Sequence, residues 1–334
     1  MNLQERIQAF TELGKYLKIE IHQEAVEALL LAEVLNPWFT KENIEKALNA
    51  WHKQLKEEML TSWLNPYKLK EVAVQKKVLI IMAGNIPLVG FHDFLTVLIS
   101  GHKVIVKMSS ADNVLLKVLI EKLISIAPEF MESILFIDDV KNRKFDAVIA
   151  TGSDNSSQYF EYYFKGAKKI IRKNRRSIAV LDGSESAMQL KGLASDVFAY
   201  FGLGCRNVSK LFLPKGFDLD ILFKAFFPYS NVVDHKKYGN NYDYNKAIFL
   251  MGSNKLVENG FLIMKEDKSL LSPVAMLYYE YYDDFNIVEQ FVEENAEQLQ
   301  CVISKKDIPF GNSQQPNLWD YADGVDTVEF LREL

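Results

Sequence analysis

The stretch KVLIIMAGNIPLVGFHDFLTVLISGHKVIVK, residues 77–107, contains three segments of different pattern. Residues 78–83 are apolar without interruption, which is typical of a strand buried on both faces of a parallel sheet. Residues 91–100 then favour a helix, and residues 103–107 form a second short apolar run that predicts a strand. A strand, a helix and a strand in this order predict a parallel βαβ unit.

The same alternation continues towards the C-terminus. Further strands are predicted at residues 133–137, 145–150, 167–171, 177–181, 208–213, 247–251, 274–279 and 301–303. Helices are predicted at residues 113–126, 187–201 and 286–295, and another helix ends at residue 163. This pattern predicts an α/β fold with two doubly wound, Rossmann-like lobes.

Helical patterns dominate the part of the chain before the first strand. Apolar residues recur at helical spacing through residues 25–31 and 44–55. Thr40 is a candidate N-cap, because its hydroxyl can accept a hydrogen bond from an amide in the first turn. We therefore expect an N-terminal helical segment over residues 1–70.

Composition and charge exclude several classes of protein. The chain has 334 residues, of which 49% are hydrophobic and 25% charged, and its net charge is −5. A negative net charge argues against a general nucleic-acid binder. Two cysteines do not make a disulfide framework, and no apolar run reaches the about 18–20 residues that span a bilayer. The N-terminus lacks a signal-peptide pattern, so we expect a cytoplasmic protein without a membrane span.

Two further features of composition each have two interpretations. Aromatic residues make up 12% of the chain, and they either thicken the core or line an apolar ligand tunnel. Basic residues cluster at residues 168–176, and such a run is either a solvated face or a surface that attracts a phosphate-rich ligand. The sequence leaves both alternatives open.

Candidate ligand-binding residues lie at the ends of predicted strands. Thr151, Gly152 and Ser153 follow one strand and precede a helix, which is where phosphates bind in a doubly wound sheet. An ordinary turn with a serine cap explains the same pattern. Lys107 ends another strand and can reach either a ribose, a phosphate or the solvent. The usual Gly-x-Gly-x-x-Gly fingerprint is absent.

The candidate nucleophile is Cys205, in the Gly-rich turn FGLGCRN of residues 201–207. Flanking glycines let backbone amides approach a reacting carbonyl closely. A lone cysteine is also often an inert small apolar residue, and we assign that role to Cys301, in the middle of a predicted strand. The histidines and cysteines show no metal-ligand spacing, so no metal site is predicted.

Taken in order along the chain, the motifs resemble those of the aldehyde dehydrogenase superfamily, and more closely those of the LuxC-like acyl-CoA reductases. The resemblance covers residues 75–334 and implies an aldehyde dehydrogenase-like fold. The stretch Ala83–Leu88 matches the turn that follows a strand in the superfamily. The resemblance places Asn85 at the oxyanion-hole asparagine and Lys107 at the lysine that contacts the cofactor ribose.

The remaining motifs concern the cofactor and the nucleophile. The turn Thr151-Gly152-Ser153 matches the superfamily's Thr-Gly-Ser at the cofactor, and Gly202-Leu203-Gly204-Cys205 matches its Gly-Gln-x-Cys. The resemblance therefore implies that Cys205 is the catalytic nucleophile. The LuxC-like subgroup is further indicated by residues 201–209, 240–247 and 323–327.

These assignments imply an organisation of the chain beyond the N-terminal segment. Residues 71–176 are expected to form the cofactor-binding domain. Residues 177–306 are expected to form the catalytic domain that carries the nucleophile, and residues 307–334 a C-terminal segment. The chain is short for the superfamily, so its bridging arm, and with it the usual oligomer, is expected to be reduced. A homo-oligomer is implied by the resemblance alone.

Two departures from the superfamily bear on the reaction and on the cofactor. Residues 171–175 stand where the superfamily has its water-activating glutamate, and they contain no carboxylate. Hydrolysis of an acyl-enzyme needs such a base, whereas reduction does not. Ser110 stands where NAD-preferring members often carry a glutamate, and a serine removes repulsion against a 2′-phosphate. We therefore expect NADPH as the cofactor, with NADH as the alternative.

The resemblance implies NADPH-dependent reduction of a long-chain fatty acyl-CoA, or another acyl thioester, to the aldehyde through a Cys205 acyl-enzyme. A partner acyl-protein synthetase is an alternative source of the acyl group. Two other functions stay open: NAD(P)+-dependent oxidation of aldehydes to acids, and a non-catalytic acyl-binding subunit.

Overall fold

A computed structural model of the protein describes residues 1–18, 21–72, 74–141 and 143–334. These residues form two compact units. The first unit comprises Met1–Asn174 and Asn317–Leu334, and the second comprises Arg175–Pro316. The expected N-terminal segment therefore shares a unit with the first sheet, and the expected C-terminal segment, residues 307–334, is divided between the two units.

Helices and strands alternate through most of the described chain. The helices are α1 (Leu3–Tyr16), α2 (Ile21–Glu24), α3 (Val26–Leu35), α4 (Lys41–Gln54), α5 (Glu57–Leu64), α6 (Phe91–Ile99), α7 (Leu115–Ile126), α8 (Asp154–Tyr163), α9 (Ala187–Phe198), α10 (Leu219–Phe226), α11 (Lys236–Met251), α12 (Phe285–Glu294) and α13 (Thr327–Arg332). The strands are β1 (Lys77–Ile81), β2 (Lys103–Lys107), β3 (Ile134–Phe136), β4 (Ala147–Thr151), β5 (Lys168–Arg172), β6 (Arg176–Val180), β7 (Val208–Pro214), β8 (Val257–Glu258), β9 (Ile263–Glu266), β10 (Met276–Tyr282) and β11 (Leu299–Ile303).

Local capping explains where two of the N-terminal helices begin. Asn2 and Glu5 form a reciprocal capping box at the start of α1. The Thr40 hydroxyl accepts a hydrogen bond from the Asn43 amide at the start of α4, which confirms the predicted N-cap. Each cap satisfies an amide that has no partner inside the helix.

The sheet of the first unit has the strand order β3-β2-β1-β4-β5, and all its pairs are parallel. The chain runs outward from β1 to β2 and β3, and then crosses to the other side of β1 to add β4 and β5. Ile81 at the end of β1 is in register with Lys107 and pairs on its other side with Ala150. The sheet therefore reverses its winding direction between β1 and β4, and this is the doubly wound pattern.

The core of the first unit lies between this sheet and its helices. Residues 78–81 of β1 are buried, and so are Phe94, Val97 and Ile99 of α6. Burial of each such side chain stabilises the fold by about 1.5–3 kcal/mol. Residues of α1, α4 and α5 belong to the same cluster, so the N-terminal helices bury their apolar faces in this core.

The end of the chain returns to the first unit through a buried polar cluster. Arg172 at the end of β5 pairs with Asp93 of α6, at 2.7 Å between Nη2 and Oδ1. The same guanidinium donates to the Ala322 carbonyl at 2.6 Å and to the Thr327 hydroxyl at 3.0 Å. Arg172 therefore ties α13 to β5 and α6 within the first unit.

The sheet of the second unit has the order β11-β6-β7-β10-β9-β8, and β8 pairs antiparallel to β9 while the other pairs are parallel. The α/β class and the parallel sheets are confirmed. The prediction of a strand at residues 247–251 is wrong, because these residues end α11. A short apolar run does not distinguish a strand from a helix end, and here Met251 is 83% exposed.

Candidate active site

The carboxyl ends of three neighbouring strands carry the predicted residues of the first unit. Because β1 pairs with both β2 and β4, the residues that follow these strands lie at one edge of the sheet. Asn85 lies in the loop after β1, Lys107 ends β2, and Thr151 ends β4. This edge at the change of winding direction is where ligands bind in doubly wound sheets.

The turn after β4 is shaped by a glycine and a helix cap. Ser153 is the N-cap of α8, and its hydroxyl accepts a hydrogen bond from the Ser156 amide. A Cβ added at Gly152 would lie 2.8 Å from the Ser156 Cβ and 3.0 Å from the Phe160 ring, so a larger residue does not fit there. The turn therefore presents backbone and the positive end of a helix, which together favour an anion.

The turn after β2 carries the other two candidate cofactor residues. Lys107 is half-buried, and its carbonyl accepts a hydrogen bond from the Met82 amide at 3.0 Å. Ser110 is exposed within the tight turn formed by Ser109 and Asp112. The Asn36 side chain donates to the Ala111 carbonyl at 3.1 Å, so the N-terminal helical segment helps to hold this turn.

The turn that carries Cys205 has an unusual backbone. Tyr200, Phe201 and Gly202 have φ angles of 51°, 57° and 77°, so three successive residues are left-handed. Such a conformation costs about 1–3 kcal/mol for a residue other than glycine, and it persists only where surrounding contacts enforce it. The Phe201 ring stacks on His235, with centroids 4.4 Å apart, and this is one such contact.

The buried side chain of Asn207 holds the same turn from inside. Its Oδ1 accepts a hydrogen bond from the Gly204 amide at 2.8 Å. Its Nδ2 donates to the carbonyls of Asp196 and Ala199, at 3.0 and 2.8 Å, at the end of α9. The carbonyl of Cys205 itself accepts a hydrogen bond from the Ser177 hydroxyl at 2.9 Å. Cys205 is half-buried. The Gly204 amide before it and its own carbonyl are both held by hydrogen bonds to side chains.

Replacing Asn207 with alanine is expected to lower the free energy of unfolding by about 3 kcal/mol, because it leaves several buried backbone groups without partners. Asn245 is a matched control, since it is also buried but donates one hydrogen bond, to the Val274 carbonyl. Its replacement by alanine should cost about 1 kcal/mol. Denaturant unfolding of both variants provides the measurement, and equal losses would contradict a special role for Asn207.

Arg206 is oriented towards another loop. Its Nε donates to the Ser313 carbonyl, and its charge opposes the rise that burial causes in the pKa of Asp196. The Asp196 carboxylate in turn accepts hydrogen bonds from the amides of Gly311 and Ser313, at 2.6 and 3.0 Å. Arg206 therefore ties the turn to residues 311–313. Arg206 is also adjacent to Cys205 in sequence, and comparing the alkylation rate of the Cys205 thiol against pH in the native protein and in Arg206→Ala tests whether it activates this thiol.

The structure shows what the basic residues of the run 168–176 contact, which the sequence left open. The Lys168 ammonium donates to the Glu333 carbonyl, Lys169 pairs with Glu161 at 2.9 Å, and Arg172 is buried. The Arg175 guanidinium donates to the Leu299 carbonyl at 3.0 Å. Much of the positive charge in this run therefore has protein partners.

The structure groups the predicted residues by unit. Asn85, Lys107, Ser110 and the turn at Thr151 lie at the carboxyl edge of the first sheet, whereas Cys205 belongs to the second unit. Cys301 is buried in β11. Sequence reasoning assigned no role to Asn207, which it included only as part of the Cys205 turn, and none to Asp112. Within the described ranges, no group of three or more potential metal ligands occurs, and no helix is long and apolar enough to cross a membrane.

Comparison with known proteins identifies similar folds and one family. The family model described as "Acyl-CoA reductase (LuxC)" matches residues 8–221. One similar structure is that of aldehyde dehydrogenase 21 from Physcomitrella patens, solved with the reaction product succinate. It superimposes with a TM-score of 0.69 at 12% sequence identity, and the match covers 100% of this chain and 84% of the dehydrogenase. No curated protein matches the chain.

Two further solved structures show the same fold. Aldehyde dehydrogenase C from Pseudomonas syringae, solved as a variant with NAD+ and octanal, has a TM-score of 0.65 at 11% identity and covers 91% of this chain and 72% of its own. An aldehyde dehydrogenase from Mycobacterium tuberculosis with NAD+ has a TM-score of 0.65 at 13% identity, with coverage of 94% and 75%. At these identities the likeness concerns the fold.

Proposed function

Because this chain belongs to the LuxC family of acyl-CoA reductases, we propose that it reduces a long-chain fatty acyl-CoA, or another acyl thioester, to the aldehyde through a Cys205 acyl-enzyme. The chain is an oxidoreductase by its family. The observation that carries the finer proposal is the Cys205 turn, in which a half-buried thiol lies on a strained backbone held by Asn207 and Ser177.

The first step is attack of the Cys205 thiolate on the thioester carbonyl. A bond forms between the sulfur and the acyl carbon, the bond to the coenzyme A sulfur breaks, and coenzyme A leaves as its thiolate. The product is an acyl-enzyme, and this covalent route divides the reaction into two easier steps. The fixed backbone on both sides of Cys205 favours this step because it orients the sulfur.

The negative charge that develops on the carbonyl oxygen needs hydrogen-bond donors. We assign this role to the Asn85 side-chain amide and to the backbone N–H of Cys205. Asn85 is exposed at the carboxyl edge of the first sheet, where doubly wound sheets bind their ligands. One preorganised donor of this kind is worth about 3–4 kcal/mol of transition-state stabilisation.

The residues at the sheet edge fit a nicotinamide dinucleotide. Close packing at Gly152 and the capped start of α8 provide a cradle for phosphate oxygens. Lys107, Ser110, Thr151, Gly152 and Ser153 would hold the cofactor, and aldehyde dehydrogenases of similar fold are solved with NAD+. The chemistry that a bound NADPH supplies is hydride donation to the acyl carbon. The bond between the reduced acyl carbon and the Cys205 sulfur would then break, which would release the aldehyde and return Cys205 as the thiolate.

Oxidation of aldehydes to acids is less well supported. That reaction ends with hydrolysis of the acyl-enzyme, and a general base must activate the water. Residues 171–175 contain no carboxylate, and the Arg172 side chain is buried in its pair with Asp93. The stretch of residues 171–175 thus lacks the base that hydrolysis would need, which supports the reductase.

A direct assay tests the proposal. Purified protein is mixed with tetradecanoyl-CoA and NADPH, and the loss of nicotinamide absorbance and the formation of aldehyde are followed. We expect one aldehyde for each NADPH consumed. Failure with both NADPH and NADH over several chain lengths, and with acyl groups delivered by an acyl-protein synthetase, would contradict the reductase.

Replacing Ser110 with glutamate is expected to lower kcat/KM for NADPH by about tenfold or more, because a carboxylate would repel the 2′-phosphate. Ser110 is exposed, so the fold should be unaffected. Steady-state rates with both cofactors provide the measurement, with Ser110→Ala as the control for loss of the hydroxyl. An equal decrease for NADPH and NADH would show that Ser110 does not discriminate between them.

A further inference from the structure

A cavity of about 240 Å³ lies at the edge of the first sheet where its strands begin. Its lining includes Gln75, Gly101 and Ser133, which precede β1, β2 and β3. Because these strands are parallel, Asn85 and Lys107 lie at the opposite edge. The five residues of β1 and of β2 separate the two edges by about 15 Å. The cavity is therefore distinct from the candidate cofactor residues.

A buried guanidinium lies beside this cavity. Arg6 of α1 is 6% exposed and is part of the cavity lining. Its Nε donates to the Ile99 carbonyl at 2.9 Å, and its Nη1 donates to the Met1 carbonyl at 2.6 Å. Its Nη2 has no hydrogen-bond partner among the residues that the structure describes. A Cβ added at Gly101, another lining residue, would lie 3.4 Å from this Nη2, so the unused donor adjoins the cavity wall.

The charge of Arg6 lacks a close counterion. Within the described ranges its guanidinium forms no ion pair. Burial lowers the pKa of Arg6, and the carboxylates of Glu71 and Glu5 oppose this decrease. A buried charge is costly unless it is paired, and guanidinium groups bind carboxylates and phosphates particularly well. An anion in the cavity would therefore supply the partner that Nη2 lacks.

The other charged side chains of the lining restrict what this anion can be. The exposed residues Glu129 and Glu132 both line the cavity. His102 adds no positive charge, because its Nδ1 accepts from the Lys76 amide at 3.3 Å and burial lowers its pKa. The lining thus has one positive and two negative side chains. These carboxylates would repel a dianion such as phosphate, whereas a zwitterion complements both signs of charge.

The neutral part of the lining fits the rest of such a ligand. The Gln75 Nε2 donates to the Gly101 carbonyl at 3.1 Å, and within the described chain its Oε1 has no hydrogen-bond partner, so it can accept from an ammonium. Leu98 and Phe130 are buried and give the cavity an apolar wall. The volume lies below the about 300–1,000 Å³ of pockets for drug-sized ligands. The cavity is therefore too small for coenzyme A or a dinucleotide.

We propose that this cavity binds a small α-amino acid. The carboxylate of the amino acid accepts hydrogen bonds from the Arg6 Nη2. Its ammonium group interacts with the Gln75 Oε1 and with the carboxylates of Glu129 and Glu132, and its side chain lies against the apolar wall. This ligand is neither the substrate nor the cofactor of the proposed reductase, so the inference does not depend on that function.

The test titrates the full chain with glycine, L-alanine, L-serine, L-leucine and inorganic phosphate in an isothermal calorimeter, without acyl thioester or nicotinamide. We expect saturable one-to-one binding of at least one amino acid with a Kd below about 1 mM. Analogues of that amino acid without its ammonium or without its carboxylate should bind at least about tenfold more weakly. Absence of saturable binding by all four amino acids, or tighter binding of phosphate than of any of them, overturns the proposal.

Two variants locate the bound amino acid. Arg6→Gln should raise Kd at least about tenfold, because the charged donor is lost. Since Arg6 also holds two backbone carbonyls, the melting temperature shows whether this variant is folded. Glu132→Lys changes an exposed residue and keeps the proposal testable in either case. It should raise Kd for the amino acid about threefold or more, because it repels the ammonium group. An unchanged Kd in Glu132→Lys, or in a folded Arg6→Gln, overturns the site.

Glu121→Lys is the matched control for the charge reversal. Glu121 is exposed on α7 of the first unit and is not part of the lining, so this variant should have the native Kd. An equal loss of affinity in Glu121→Lys and Glu132→Lys would contradict a local effect. Excess NADPH or tetradecanoyl-CoA should not displace the amino acid, and displacement would show that it occupies the candidate active site instead. None of these measurements uses thioester reduction, so failure of the reductase assay leaves their result intact.

Discussion

Replacing Cys205 with alanine is expected to lower kcat for acyl thioester reduction by about 10⁴-fold or more, because the acyl-enzyme can no longer form. The loss should appear in NADPH consumption and in aldehyde formation alike. Intact-mass measurement after exposure to tetradecanoyl-CoA without cofactor tests the covalent step alone. The native protein should gain one acyl group, and the variant none.

Cys301 is the matched control for this experiment. It is 5% exposed in β11, so its thiol is shielded from substrate. Cys301→Ala should keep a rate within about twofold of the native enzyme, with a small loss of stability from the removed packing. An acyl adduct on Cys205→Ala, or its absence on the native protein, would contradict Cys205 as the nucleophile.

Replacing Asn85 with alanine is expected to lower kcat by about 10²–10³-fold, equivalent to about 3–4 kcal/mol, because one oxyanion donor is lost. A donor that acts in the transition state affects kcat and kcat/KM equally, so KM for the acyl thioester should stay close to its native value. Asn85 is exposed, and the fold should therefore tolerate the change.

The control for Asn85 is Asn49→Ala, at another exposed asparagine of the first unit, on α4. This variant should have the native kcat. The alkylation rate of the Cys205 thiol should be unchanged in Asn85→Ala, which separates loss of oxyanion stabilisation from loss of nucleophile reactivity. A rise in KM with an unchanged kcat would show that Asn85 binds substrate instead.

Features that depend on near neighbours in sequence were predictable. The strands of the first sheet follow from continuous apolar runs, because a parallel strand is buried on both faces. Thr40 and Ser153 are recognisable as caps because each bonds an amide three residues away. The order of strand ends likewise predicts that Asn85, Lys107 and Thr151 belong to one edge of the sheet.

One failure shows the limit of local patterns. Residues 247–251 are a short apolar run that fits either a strand or a helix end. The structure continues α11 through this run, although several of its side chains are exposed. Burial, which decides between the two interpretations, depends on what packs against the segment and cannot be read from the run itself.

The sequence by itself determined the α/β class, the alternation of strands and helices, and the turns that carry the candidate site residues, because each depends on side-chain pattern over a few positions. Only the tertiary structure decided the roles of Asn207 and Arg172. Their partners lie 3–11 residues away for Asn207 and 79–155 for Arg172. A buried polar group is stable only where folding brings its partners to it, and that condition belongs to the whole chain.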